Sequence, residues 1–182
     1  VTTYAAALKN LYAVGFFNGW DVGAAVEIWE ETAGTDIYIG MIDLVRKTYP
    51  NLEIHASTQA NIHNLDGVKF CEELGIRRVV LARETPYELI KEIKSNTECE
   101  LEIFVHGALC MSYSGECLMS ALIGNRSGNR GRCAQPCRME YSIFENGRAI
   151  TNRKYLLSTK DLNTLENLDK LIESGITSLK IE

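Results

Sequence analysis

The sequence predicts an α/β fold whose parallel strands close into a (β/α)8 barrel, and three observations lead there. From residue 37 onward, short β-type runs alternate with amphipathic helical ones. Successive clear strands begin roughly 24 residues apart, the length of one βα unit, and sequential βα units build a parallel sheet. An open doubly wound sheet would be signalled by a Gly-rich phosphate-binding turn after the first strand, and Gly40-Met41-Ile42-Asp43 is no such turn.

The elements follow in order. Ile37-Tyr38-Ile39 reads as a β-type run leading into a short helix over Ile42 to Thr48, and Leu52 to Ser57 as the next strand. Asn64 is placed to cap a helix that presents Leu65, Val68, Cys71 and Leu74 on one face and ends at Gly75. Cys71 lies on that face and reads as a core residue. Arg78 to Ala82 is a strand, and Thr85-Pro86 opens a helix to about Ser95 with proline at its first position. Glu100 to Val105 is a third clear strand and Tyr155 to Leu157 a further one. Thr164 to Glu173 is a helix stopped by Gly175, and Ser178 to Ile181 is the last strand.

Two stretches interrupt the alternation. GNRSGNRGR, from Gly124 to Arg132, is too glycine-rich for a helix and too charged for a core, so it is a loop. Tyr141 to Phe144 and Arg148 to Ile150 flank Asn146-Gly147, the strongest two-residue hairpin signal, which makes a β-hairpin insertion. Residues 1–35 stand apart as an unassigned helical segment. Tyr4 to Val14 and Val22 to Thr32 each read as an amphipathic helix with no strand before them, which leaves 36–182 as the barrel domain.

Hydrophobic content of 46% and charged content of 24% suit one globular domain with a real core. No apolar run approaches the roughly 18 residues of a membrane span, and no basic segment with an apolar stretch and cleavage site opens the chain. A cytoplasmic location is therefore expected. In that reducing setting six cysteines do not form a disulfide framework, and four are crowded as Cys110-x6-Cys117-x15-Cys133-x3-Cys137. The net charge of −5 argues against broad non-specific nucleic-acid binding and leaves room for a local basic patch.

A barrel places its active site at the C-terminal ends of its strands. Those ends read Ser57-Thr58-Gln59, Arg83-Glu84, His106-Gly107 and Ser158-Thr159-Lys160-Asp161, polar after apolar strands. Loops are commonly polar, which explains part of this. The cysteine group nevertheless begins four residues after His106, at the same edge. His106, Glu84 and Arg83 are the candidate catalytic residues.

Four thiolates on irregular, glycine-rich backbone suit a 4Fe-4S cluster held by Cys110, Cys117, Cys133 and Cys137. Structural zinc is the rival, because four-cysteine sites accept varied spacings, and unligated thiols are the third reading. Proteolysis would need an activated nucleophile or a metal-activated water. The chain has neither HExxH nor GxSxG, and its histidines are His55, His63 and His106. A Cys110 and His106 dyad at i, i+4, with Glu84 or Glu102 orienting the imidazole, is the protease alternative. His63 reads as a capping or surface residue near a helix start, and His55 alternates with apolar neighbours on a strand. Arg126, Arg130, Arg132 and Arg138 are either solvated or, with Gln59, grip a carboxylate or phosphate through paired N–H donors.

HGALCMSYSGECLMS (106–120) and NRSGNRGRCAQPCR (125–138), with IHASTQANIHN, RRVVLARE, LLSTKDLNTL and SLKIE, resemble the collagenase-like peptidase family, also called peptidase family U-thirty-two, over residues 36–182. The resemblance implies a TIM-type barrel present only in part, with about five or six strands. It also implies a fragment of a longer protein, since the family continues into Gly-Arg where this chain ends. Some members carry a collagenase or peptidase name. Others resemble oxygen-independent hydroxylation proteins that act on tRNA wobble uridine, a ribosomal RNA cytidine or the ubiquinone ring, with a 4Fe-4S cluster and prephenate as oxygen source.

The expectation is an iron-sulfur-dependent RNA hydroxylation protein. The alternative is a peptidase acting on peptides or denatured collagen, and a third class is a structural protein whose cysteines only staple the loop. The expected partners are RNA, tRNA first, or a peptide substrate, together with a protein of the same family and no membrane. In several cluster-bearing relatives the fourth cysteine follows an Asp-Leu pair, whereas Asn163 follows Asp161-Leu162 here. Either Cys137 supplies the fourth ligand or the cluster is absent.

Overall fold

In a computed structural model, which describes residues 26–28, 35–128 and 131–181, five short strands lie parallel in one sheet. They are β1 (Val26–Ile28), β2 (Ile54–Ala56), β3 (Arg78–Val80), β4 (Glu100–Gly107) and β8 (Ser178–Ile181), side by side in that order. A two-residue strand, β7 (Leu162–Asn163), pairs antiparallel with the C-terminal end of β4, setting His106 opposite Asn163. Strands β5 (Tyr141–Glu145) and β6 (Arg148–Lys154) form a separate antiparallel hairpin whose turn is Asn146-Gly147, both at positive φ.

Helices α1 (Thr35–Thr48), α2 (Leu65–Glu73), α3 (Tyr87–Ser95) and α5 (Leu168–Glu173) follow strands, and α4 (Met119–Gly124) lies between Cys117 and Cys133 in the chain. The Asn64 side chain accepts from the Gly67 N–H at 2.8 Å, and Gly75 ends the unit at φ +70°, as the sequence requires. Pro86 stands at the cap of α3, one position before the helix proper, where a missing N–H is equally harmless.

Alternate residues of β4 decide the layering. Leu101, Ile103 and Val105 are buried in one cluster with Val45 of α1, Val68 and Cys71 of α2, Ile90 and Ile93 of α3, and Leu171 of α5. The other face carries a polar ladder. Arg78 binds Glu100 at 2.7 Å and reaches Glu102 at 3.4 Å, and Glu102 also accepts from Ser178 at 2.8 Å and pairs with Lys180 at 3.5 Å. Phe104, next along this face, has Arg83 6.0 Å and Lys180 5.5 Å from its ring centre.

Three sequence expectations are corrected. Ile37-Tyr38-Ile39 lies inside α1, and the strand is instead Val26–Ile28, within the stretch expected to be a helix. A short apolar run fits either period, and partner availability decides it: Ile28 has Ala56 beside it in β2. This pairing also joins residues 26–28, taken as part of a separate segment, to the sheet. Tyr155 to Leu157 forms a turn, with Tyr155 and Leu156 exposed. The remainder of the N-terminal helical expectation, including Tyr4 to Val14, lies outside the described residues.

Candidate functional site

The β2 end, the β3 end and the 158–161 turn each hold the cysteine segment, by different chemistries. At the β2 end, Gly115 stands at φ +77° against the backbone of Gln59, where an added Cβ would lie 2.3 Å from the carbonyl oxygen. Asn61, itself at positive φ, donates its amide to Glu116 at 3.2 Å. At the β3 end, Glu84 accepts from both the backbone N–H and the hydroxyl of Ser114, the latter at 2.9 Å, while Ser114 Oγ accepts from the Arg83 N–H at 3.2 Å. Ser114 is completely buried at this junction.

The 158–161 segment is held by Arg138. Its guanidinium donates to Ser158 Oγ at 2.7 Å, the Thr159 carbonyl at 2.8 Å and the Leu109 carbonyl at 2.9 Å, with Asp161 3.7 Å away. Thr159 Oγ1 donates to the same Leu109 carbonyl. On the far side of the segment, buried Ser120 of α4 accepts from the Ala134 N–H at 2.9 Å, which fixes the backbone next to Cys133.

The four thiols are free. Cys110, Cys117 and Cys137 are half-buried and Cys133 is exposed. A Cβ built on Gly128 would lie 3.7 Å from Cys133 Cβ and 3.9 Å from the Cys117 carbonyl, so these two cysteines flank one glycine. Burial pushes the Cys137 thiol up, and nearby Cys110 and Cys133 add to that against the opposing pull of Arg138. The Gln135 N–H donates to Cys133 Sγ at 3.3 Å, the kind of backbone bond that steadies a ligating thiolate. Among the described residues, no three His, Cys, Asp or Glu side chains already close on one point as a preformed cage would. The donor set, four thiols on looping backbone, fits a cubane cluster or a zinc ion.

The remaining candidates divide. His106 is exposed at the β4 end. The carboxylates offered to orient it are engaged elsewhere, Glu84 by Ser114 and Glu102 by Arg78, Ser178 and Lys180. Arg83 faces Phe104. Arg126 donates to the Arg132 carbonyl at 3.0 Å, which shapes its own loop, and Arg132 is exposed. Arg130 lies outside the described residues. Arg138, expected to grip substrate, spends its donors on the protein. His55 pairs with Glu53 at 2.9 Å, and His63 Nδ1 donates to the Asn61 carbonyl, 2.9 Å away.

Sequence reasoning missed Ser114 as a site component, whereas Thr58 lies in a strand end it named. Thr58 is buried at the β2 end and its Oγ1 has no hydrogen-bond partner among the described residues, a rarity for a buried hydroxyl. Nothing in the local pattern distinguishes Ser114 from an ordinary loop hydroxyl.

Comparison with known proteins adds a second line. The model of peptidase family U32 matches residues 33–182. A tRNA hydroxylation protein of Bacillus subtilis is 42% identical over 78% of this chain and 35% of its own length. A 23S rRNA 5-hydroxycytidine synthase of Escherichia coli is 40% identical over 81% of the chain and 24% of its own length. A collagenase of Porphyromonas gingivalis is 34% identical over 77% and 38% respectively. The chain thus spans a quarter to two fifths of the length of these relatives. Among the described residues no helix is long and apolar enough to cross a membrane.

Proposed function

The chain belongs to peptidase family U32, and from that premise we propose that it forms the cysteine-bearing part of an RNA-hydroxylating enzyme. The observation that carries this reading is that Cys110, Cys117, Cys133 and Cys137 lie in one segment tied to the β2 and β3 ends and to the 158–161 turn. Relatives named for tRNA and rRNA hydroxylation support the substrate class. Cys110, Cys117, Cys133 and Cys137 would hold a 4Fe-4S cluster, which when bound supplies one-electron transfer. Around it, Arg138 and Ser114 fix the backbone, and exposed His106 would pass a proton to or from a bound nucleoside. Arg126, Arg130 and Arg132 are proposed to meet anionic substrate, either the RNA backbone or the carboxylates of a prephenate-like oxygen donor.

A TIM-type barrel completed by further chain is the proposed full architecture. Among the described residues, helices on one face of a parallel sheet and a polar ladder on the other support it, because a doubly wound sheet would carry helices on both faces.

The relative named collagenase favours a second reading, a peptidase with Cys110 as nucleophile and His106 as base. Against it stands the engagement of both Glu84 and Glu102 away from that imidazole. Mass spectrometry of cellular nucleosides from a strain lacking the gene, complemented with each Cys→Ser variant, tests the two. Hydroxylation predicts a lost hydroxylated nucleoside that none of the four variants restores. Unchanged nucleosides, with gelatin cleavage abolished by Cys110→Ser alone, would establish the peptidase.

A further inference from the structure

We infer that the β5–β6 hairpin is a docking surface for single-stranded RNA, placed to feed the cysteine-lined site. The inference rests on the RNA reading above and names the surface that would make it work.

Charge is the first ground. Residues 106–160 hold eight Lys and Arg against three Asp and Glu, while the rest of the chain holds eleven against twenty-one. A net +5 segment inside a −5 protein is a local electrostatic feature that suits a polyanion. The hairpin and the residues just after it contribute Arg148, Arg153, Lys154 and Lys160 to it. Of these, Arg153 is offset by Glu140 at 3.1 Å.

Exposure is the second. Only Tyr141 and Thr151 of the hairpin are even half-buried, so none of the described residues covers either face. An uncovered two-stranded ribbon is marginal in water and gains from a partner. Phe144 near the turn is 65% exposed and Tyr155 at the root 62% exposed. Phe144 faces Ala149 across the ribbon, which sets the two rings roughly 20 Å apart at strand rise. Phe144 shares its face with Ala149, while Arg148, in register with Glu145, projects from the opposite face, so a strand wrapped over the ribbon would stack a base on Phe144 and set a phosphate against Arg148.

The third ground is position. The hairpin grows directly out of the cysteine segment, and the Tyr141 hydroxyl donates to the Pro136 carbonyl between Cys133 and Cys137 at 2.8 Å. Its exit strand leads straight into Ser158 and Thr159, held by Arg138. RNA lying along the ribbon is therefore aimed at the thiols, and a base must leave its stack before chemistry reaches it.

The test uses the full-length protein and a labelled 20-nucleotide oligouridine RNA, followed by fluorescence anisotropy from 50 to 300 mM KCl. The double variant Arg148→Gln, Lys154→Gln should weaken binding on the order of ten-fold and flatten the log-log salt slope by about 1.4, at about 0.7 per phosphate contact. Phe144→Ala should weaken binding by a similar factor with the slope unchanged. Arg148→Lys should bind as wild type does. Wild-type RNA binding that none of these variants alters overturns the hairpin assignment alone. A dimer seen by light scattering and lost in the variants, or a melting temperature that falls with them, gives the surface to a second copy or to the chain's own remainder and overturns it likewise. A wild-type protein that binds no RNA, in a strain whose nucleosides are unchanged on deletion, overturns the RNA reading as well.

Discussion

Arg138 donates to the carbonyl of Leu109, 29 residues earlier in the chain, and so ties the two ends of the cysteine segment together across the gap between β4 and the 158–161 turn. One planar head serves three acceptors at once, a geometry an ammonium cannot reproduce. Both Arg138→Ala and Arg138→Lys should lower stability by about 1–3 kcal/mol in urea titrations. They should also speed the reaction of Cys110 and Cys137 with a thiol reagent. Wild-type labelling rates in both variants would show that the latch does not hold the segment.

Glycine positions give a graded series. Gly115→Ala meets both the Gln59 carbonyl and an unfavourable φ of +77°, and should cost the most, about 1–3 kcal/mol or more. Gly147→Ala meets open space at φ +76°, so only the backbone penalty applies. Gly124→Ala, at the end of α4 with nothing within 4 Å, should be neutral or slightly stabilising. Chemical denaturation orders the three, and equal effects at 115 and 124 would contradict the close approach.

Acid stability should depend on Glu72. Burial alone would raise its pKa, but hydrogen bonds from Lys69, Thr97 and the Cys99 and Glu98 backbone hold it at about 2. The folded value lies below the ordinary 4.5, so the contribution is complete above that value and disappears as pH falls from about 4.5 towards 2. Glu72→Gln should be less stable near neutrality and flatter across that interval. Parallel unfolding midpoints for the two proteins at pH 6, 4 and 3, keeping a constant gap, would rule this out.

The cysteines should separate into two chemical populations. Burial, with Cys99 nearby, pushes Cys71 up to about 12, and burial, with Glu72 nearby, pushes Cys99 up to about 11. In the metal-free protein four thiols should therefore react at pH 8 with a disulfide reagent, exposed Cys133 ahead of half-buried Cys137, and Cys71 and Cys99 only after unfolding. Full-length protein purified without oxygen should hold about four iron and four sulfide. Cys117→Ser and Cys133→Ser should abolish its brown colour. Stoichiometric zinc without iron would replace the cluster with a structural metal.

Much of the βα frame is readable from the sequence because its signals are local. Asn64, Gly75 and the Leu65, Val68, Cys71 face announce a helix without reference to anything distant, and Asn146-Gly147 announces its hairpin the same way. Ile37-Tyr38-Ile39 and Val26–Ile28 are too short to declare a period, and pairing with β2 decided between them. The cysteines and the strand ends were legible as a cluster at one edge. The commitment of Arg138 and Glu84 to internal partners was not, because it depends on contacts 20 to 30 residues away that no spacing rule encodes.

The ties of the cysteine segment also fix a timetable. Asn61 and Glu116 are 55 residues apart, Leu109 and Thr159 50, and Glu84 and Ser114 30. Closing such loops costs entropy that only an already aligned sheet can offset, so the thiols gain their arrangement after β2, β3 and β4 have joined. Small metal domains fold because the ion organises them; here the sheet would come first, and any iron would meet thiols that still have to close around it. Pulsed thiol labelling during refolding should accordingly show Cys71 protected before Cys110, and the reverse order would mean that the loop seeds the sheet.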